Sequence, residues 1–365
     1  MSAPTVDVVE SRTRGFHTLR VAGVERLTDD AVAVTFDVPA ELAEVFRFRA
    51  GQYLTLRLHT EAGEERRSYS ICAPEGAAPR IGVRRVDTGL FSEWLVDRLA
   101  PGDELEVGPP EGRFTPEPRA GEHHGLVAAG SGITPVLSIA STLLAAHPDT
   151  HVTLLYGNRR ADTVMFAEDL ADLKDRYRHR VQLVHVLSRE PTEAEIFAGR
   201  LDGAKLRELL TMLVPVPDVD HWWLCGPFGM VTDGREVLRE LGVPRERIHQ
   251  ELFYVDAPPP EPVRHEDAAE DAAGHAEVTV VLNGRRTTLS LPRTATVLDA
   301  AQRVRSDLPF ACKGGVCGTC RAHVSEGEVR MARNFALEPE EVDAGFVLTC
   351  QSMPVSDSVV VDYDT

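Results

Sequence analysis

The tightest constraint on this chain lies near its end, in Cys312-Lys-Gly-Gly-Val-Cys317-Gly-Thr-Cys320, followed by Cys350 in Leu-Thr-Cys-Gln. C-x4-C-x2-C with a distant fourth cysteine is the spacing of plant-type [2Fe–2S] ligation. A compact loop can present three thiolates around one cluster only if its backbone comes close to the inorganic sulfides. Gly314, Gly315 and Gly318 permit that approach and free amide N–H groups to donate to the sulfurs. The competing reading is a structural zinc ion on the same four thiols, because Cys317 and Cys320 alone fit a zinc knuckle. Zinc sites usually pair two short hooks of closely spaced cysteines, and here the fourth ligand stands alone.

The chain has 365 residues, 43% of them hydrophobic, enough for two or three cores of about 100 to 150 residues each. The opening MSAPTVDVVESRTRG lacks the apolar run of a signal peptide, and no stretch of about 18 apolar residues occurs. The expectation is a cytoplasmic protein with no membrane span. In that compartment a tight group of thiols suggests metal or redox chemistry rather than disulfides. A net charge of −18 argues against nucleic acid as a partner, since phosphate binding needs clustered cations on one face.

Short alternating runs such as AVAVTFDV and QYLTLRLH, broken by glycine and proline turns, predict an antiparallel β-barrel domain over 16–118. Apolar strands (GLVAAG, VTLLYG, VQLVHVL, HWWLCG) alternate with helical stretches (PVLSIASTLLAA, MFAEDLADLKDRY, REVLREL) over 119–256, the pattern of an α/β domain with a parallel sheet. Residues 257–276, rich in Pro, Ala and acid with Val263 the only large apolar side chain, predict a flexible acidic linker. The remainder, 277–365, opens with two strands around Asn283-Gly284, continues with the helical TVLDAAQRV, and reads as a small α+β, β-grasp-like domain.

Within the barrel, Arg67-Ser68-Tyr69-Ser70 sits on a strand, so Arg67 and Tyr69 face one way while Ser68 and Ser70 face the other or the strand edge. A flavin site uses such a mixture: Arg67 to neutralise a phosphate, Tyr69 to lie on the ring system, Ser70 to reach the hydride-accepting nitrogen. An ordinary barrel strand is the plain alternative. Gly89-Leu90-Phe91-Ser92 leads into SEWLVDRL, where free N–H groups at a helix start would hold a flavin diphosphate; alternatively Ser92 simply caps that helix.

Gly130-Ser131-Gly132-Ile-Thr134-Pro135 follows the first strand of the α/β domain and opens a helix, an arrangement that accepts a pyrophosphate, though it is not G-x-G-x-x-G. At the ends of the next strands stand Asn158-Arg159-Arg160 and Ser188-Arg189-Glu190, cationic and hydroxyl groups where a 2′-phosphate would need them. NADPH is therefore favoured over NADH, against the alternative of solvated arginines. The fourth strand ends in Cys225-Gly226-Pro227, where Cys225 either borders the nicotinamide or is a small buried hydrophobe.

Taken together and in this order, RSYS, GLFS, GSGITP, LSRE and LCGP resemble the ferredoxin–NADP reductase superfamily, and the appended cysteine domain is similar to plant-type ferredoxins. Within that set, FHTLRVAGVERLTDDAVAVTFDVP, DLPFACKGGVCGTC and NFALEPEEVDAGFVLTCQ look like the family of reductase subunits of the phenylacetyl-CoA epoxidase complex. The resemblance implies FAD, a [2Fe–2S] cluster and NADPH, with electrons supplied to a di-iron oxygenase subunit in phenylacetate degradation. It places flavin contacts on Arg67, Tyr69, Ser70 and the Gly89 to Ser92 turn, and nucleotide contacts on Gly130 to Thr134, Ser188, Arg189 and Cys225 to Pro227. It places the iron ligands on Cys312, Cys317, Cys320 and Cys350. Tyr69, Ser70 and Cys225 are the candidate catalytic residues, by contact with the reacting rings rather than by covalent chemistry. Only Glu246-x-x-His249 approaches a di-iron motif, so the oxygenase is expected to be another protein. The rival readings are a reductase serving a Rieske oxygenase or steroid hydroxylase, and a non-enzymatic scaffold stapled by zinc.

Overall fold

The computed structural model describes residues 15–60, 63–86, 90–254, 274–305 and 307–365. Gly89 and linker residues 257–273 lie outside the described residues. The chain divides into two compact units, Met1–Tyr254 and Val255–Thr365.

The first unit opens with six antiparallel strands: β1 (His17–Thr28), β2 (Ala31–Asp37), β3 (Tyr53–Thr60), β4 (Gly63–Ser70), β5 (Arg80–Arg84) and β6 (Glu104–Val107). Their order is β4-β3-β6-β1-β2-β5, and a bridge between Ile71 and Ile81 joins the end of β4 to β5, closing the barrel. The alternation along β2 explains how this barrel can carry a second layer. Val32, Val34 and Phe36 point into the barrel core, whereas the small Ala31 and Ala33 face a different core that includes the helix at 133–146. Helix α1 (Leu90–Asp97) buries Phe91 and Leu95 in the barrel core.

A five-stranded parallel sheet follows, formed by β7 (His123–Ala129), β8 (His151–Asn158), β9 (Val181–Leu187), β10 (His221–Pro227) and β11 (Ile248–Tyr254). Runs such as Trp222 to Cys225 are buried on both faces, as a sheet covered by crossover helices requires. The helices are α2 (Ile133–Ala146), α3 (Ala167–Arg176), α4 (Gly203–Leu213) and α5 (Phe228–Glu240). The order β11-β10-β7-β8-β9 reverses direction between β7 and β10, which places a ligand-binding crevice beyond the C-terminal ends of those two strands.

Helix α2 is buried between sheet and barrel. Ser138 Oγ donates to the Ala73 carbonyl at 2.6 Å, and the Glu75 N–H donates to Thr142 Oγ1 at 3.0 Å. Arg80 of the barrel pairs with Asp169 of α3 at 2.7 Å. Ala31, Ala33, Cys72 and Phe114 therefore share a core with Ile133, Val136, Ile139 and Ala140.

The second unit contains β12 (His275–Leu282), β13 (Arg285–Pro292), α6 (Val297–Ala301), β14 (Arg321–Glu326), β15 (Val329–Met331), α7 (Pro339–Asp343), β16 (Phe346–Leu348), β17 (Ser352–Pro354) and β18 (Ser358–Asp362). Five strands order as β13-β12-β18-β14-β16, and β15 pairs with β17. Asn283 and Gly284 both take positive φ, 55° and 68°, so the predicted hairpin turn forms. Strand β12 begins at His275, inside the segment expected to be linker. The expected helix TVLDAAQRV keeps only five helical residues, capped by Thr296.

The antiparallel barrel, parallel sheet and small α+β unit match the three-part architecture expected from the sequence. Among the described residues no helix is long and apolar enough to cross a membrane.

Candidate functional site

Two separate constellations emerge, one in each unit. In the first, β4 ends at Ser70, which is 3% exposed, and its Oγ donates to Glu251 Oε2 at 3.3 Å. Glu251 is the register partner of Cys225 across β10 and β11. Desolvation pushes the Glu251 carboxyl up to about 8, with the Ser70 hydroxyl opposing. Cys225 is fully buried, and burial followed by the Glu251 charge pushes its thiol up, so it stays a thiol. Pro227 and Phe228, just beyond, are partly exposed.

The glycine turn at the switch point is built by close approach. Gly130–Gly132 forms one 3-10 turn before α2, and a Cβ on Gly132 would lie 2.2 Å from the Cys225 carbonyl oxygen. Only glycine lets the turn after β7 rest on the end of β10. The Tyr156 hydroxyl donates to the Gly130 carbonyl at 2.9 Å, and Thr134 Oγ1 donates to the Ser131 carbonyl at 3.0 Å. Pro135 is the third residue of α2, where no intrahelical N–H bond is lost.

Of the flavin candidates, Tyr69 and Phe91 meet with ring centroids 6.2 Å apart, bringing RSYS and the GLFS turn together. Arg67 is half exposed and pairs with Glu65 at 2.9 Å, while Ser68 Oγ lies 3.1 Å from Thr55 Oγ1. Leu90 is the first residue of α1. Ser92 does not cap that helix; it lies inside it, and its Oγ accepts the Val86 N–H at 3.1 Å.

At the outer strand ends, Ser188 N–H donates to the Asn158 carbonyl at 3.0 Å and Arg189 N–H to the Arg159 carbonyl at 2.8 Å. These bonds extend the β8–β9 pairing and hold Arg159, Ser188 and Arg189 side by side. Arg160 is committed to Asp162, its Nε donating at 2.9 Å. Among the described residues neither the Arg159 nor the Arg189 side chain has an ion-pair partner.

Two residues that sequence reasoning passed over belong here. Glu251 is one; its signal was a carboxylate on a strand that runs beside the Leu-Cys-Gly-Pro strand. Arg84 is the other: Nη2 donates to the Thr163 carbonyl at 2.5 Å, and Nη1 lies 3.4 Å from where a Cβ on Gly130 would stand. It brings a barrel cation to the glycine turn.

In the second unit, Cys312 Sγ accepts backbone N–H groups from Gly314 and Cys317, and Cys350 Sγ lies 3.6 Å from the Gln351 side-chain nitrogen. The neighbouring Cys317 thiol, with amide donors from Gly314 and Cys317 at 3.3 and 3.4 Å, holds the Cys312 thiol below its usual range. Cys350 is likewise lowered, first by Cys320 and then by the Gln351 side chain. Among the described residues no three thiols, imidazoles or carboxylates converge on a single-ion position. N–H donors around Cys312 Sγ and Cys350 Sγ suit the sulfur-rich environment of a [2Fe–2S] cluster. Gly314 meets nothing closer than 3.7 Å, so its contribution is the amide rather than the space.

Comparison with known proteins agrees with this arrangement. Family models match an oxidoreductase FAD-binding domain at 18–115, an oxidoreductase NAD-binding domain at 126–236 and a 2Fe-2S iron-sulfur cluster binding domain at 280–355. One of the subunits of 1,2-phenylacetyl-CoA epoxidase from Escherichia coli strain K12 is 42% identical over 96% of this chain and 98% of its own. This chain belongs to the ferredoxin–NADP reductase superfamily, in the branch with a C-terminal [2Fe–2S] domain.

The reductase is also 36% identical, over 94% of its chain and 96% of the relative, to the ferredoxin reductase component of 3-ketosteroid-9-alpha-monooxygenase from Rhodococcus rhodochrous. Its fold matches phthalate dioxygenase reductase with a TM-score of 0.61 and 25% identity, covering 95% of this chain and 98% of the other. The reductase is thus an oxidoreductase whose domains serve FAD, a pyridine nucleotide and a [2Fe–2S] cluster.

Proposed function

We propose that this reductase takes electrons from NADPH and delivers them to a cytoplasmic di-iron oxygenase subunit, that of phenylacetyl-CoA epoxidase in phenylacetate degradation. When bound, FAD converts a two-electron hydride donor into a source of single electrons, and the [2Fe–2S] cluster carries them one at a time. The observation that carries the reading is the meeting of Ser70, Glu251 and Cys225, where a flavin-domain strand end touches the nucleotide sheet at its switch point.

The chain's own residues position and neutralise. Arg67 and the N–H groups at the start of α1 would hold the flavin phosphates, with Ser68 supporting the strand, Tyr69 bordering the ring system and Phe91 backing Tyr69 from the barrel core. Gly130, Ser131, Gly132 and Thr134 would cradle the nucleotide pyrophosphate, with Arg84 adding charge from the barrel. Arg159, Ser188 and Arg189 would bind the 2′-phosphate, since among the described residues both guanidinium groups lack an acidic partner while Arg160 has one. Cys225, Gly226 and Pro227 would form the wall beside the nicotinamide. Cys312, Cys317, Cys320 and Cys350 would hold the cluster.

Anaerobic titration with NADPH, followed by optical and electron-paramagnetic spectra, tests the scheme: flavin bleaching and a rhombic iron–sulfur signal are expected, and colourless zinc protein refutes it. The similarity to a 3-ketosteroid monooxygenase component supports a second acceptor class. Reduction assays with purified di-iron and Rieske oxygenases decide between them.

A further inference from the structure

Gln351 directly follows the fourth cysteine, and its side chain turns back across the loop that carries the other three. Its Nε2 lies 2.8 Å from the Lys313 carbonyl oxygen, 3.0 Å from the Cys350 carbonyl oxygen and 3.6 Å from Cys350 Sγ. Two carbonyl acceptors fix the amide's orientation: its nitrogen, not its oxygen, faces them. A primary amide has two protons. One meets the Lys313 oxygen, and the other is shared between the oxygen and sulfur of Cys350.

The loop needs this support. Lys313 has φ 50°, a left-handed conformation that is unfavourable for a non-glycine residue. Such a conformation persists where its surroundings hold it. The Gln351 amide holds the carbonyl of that same residue, and its stem packs on the loop, since a Cβ on Gly315 would lie 3.1 Å from Gln351 Cγ. One side chain therefore ties a strained turn beside the first ligand to the turn between β16 and β17 that carries the last, while presenting an N–H to a ligand sulfur.

We propose that Gln351 is a positioning residue for the cluster, closing the ligand loop and raising the reduction potential by donating to Cys350 Sγ. This rests on the assignment of the four cysteines as ligands, because the donor acts only if that sulfur shares the cluster's charge. Reduction adds one negative charge over iron and sulfur, and a donor to sulfur favours the reduced state.

The test uses the full chain with its cofactors, purified anaerobically, with iron and sulfide measured per chain. Cluster midpoint potentials are read by mediated titration and electron-paramagnetic resonance in the wild type, Gln351→Leu and Gln351→Glu. Both variants are expected to have lower midpoints, Gln351→Glu the lower because a carboxylate repels the added electron. A double variant, Lys313→Gly with Gln351→Leu, separates the two duties, since glycine takes the left-handed turn unaided. Its midpoint stays low if the amide acts on sulfur and returns to the wild-type value if the amide only braced the loop, which would overturn the electronic role. An absent iron–sulfur signal in the wild type refutes the ligand assignment itself, whereas a normal signal with unmoved midpoints refutes the role of Gln351 alone.

Discussion

Ser70 Oγ donates to Glu251 Oε2 across 3.3 Å, so the last residue of the fourth barrel strand is held to the last strand of the parallel sheet. Burial raises this carboxyl from its ordinary 4.5 to about 8, so near neutral pH it is largely protonated and can itself donate a hydrogen bond.

The raised carboxyl has a defined effect on stability. Between about pH 4.5 and 8 the folded state keeps a proton that the unfolded chain releases, so this group's contribution is full below the unfolded value and is lost as pH rises through 8. Relative to Glu251→Gln, the wild-type melting temperature is expected to fall between pH 5 and pH 8. Parallel slopes in scanning calorimetry would refute the assignment.

Arg159 and Arg189 are expected to select the cofactor. Replacing either by alanine removes a charge-assisted contact of about 1.5–3 kcal/mol, raising KM for NADPH about tenfold or more while KM for NADH moves less than about twofold. Steady-state kinetics with both nucleotides check this, and an equal rise for NADH would place the arginines elsewhere.

Gly132→Ala is expected to be costly because its Cβ would enter the Cys225 carbonyl at 2.2 Å. Backbone must shift on both sides, at about 1–3 kcal/mol or more, and the glycine turn loses its shape. Urea denaturation should show the loss, and calorimetry should show weakened nucleotide binding in whatever fraction folds. Full stability in the alanine variant would contradict the packing described.

Buried His124 and half-buried His249 make the first unit sensitive to acid. His124 accepts the Trp223 indole N–H at 3.3 Å and faces Glu122 at 3.2 Å, while His249 stacks on Trp223 and approaches His221 at 3.2 Å. Burial and then the neighbouring His221 depress His124 to about 3 and His249 to about 4. Below about pH 6.5 the unfolded chain takes up protons that the folded one refuses, so stability is lost as pH falls toward 4. His249→Gln should flatten the decline in urea midpoint between pH 7 and 5, and an unaltered decline would exclude His249 as a contributor.

Much of this molecule is legible in its sequence because strict periods and rigid residue types carry it. The alternation of AVAVTFD and the continuous apolar runs of β7 to β10 state their sheets directly, and the cysteine spacing states its loop. Helix α5 is legible only from Arg235 because Gly229, Gly234 and Pro227 mask a start at Phe228 that tertiary packing on β10 enforces. Ser92 looks like a cap because serine commonly caps, yet its hydroxyl is taken by Val86 from a preceding segment. Glu251 cannot be found from spacing, since its meaning arises only when Ser70, distant in sequence, arrives beside it.

The alanines of β2 and the residues Cys72 and Phe114 look outward from the barrel onto helix α2. Cutting the chain after the barrel would leave an apolar wound on both fragments, so recombination that preserves a working reductase must move the first 254 residues as one cassette. The natural joint for exchanging electron outlets lies beyond Tyr254, not between flavin and nucleotide.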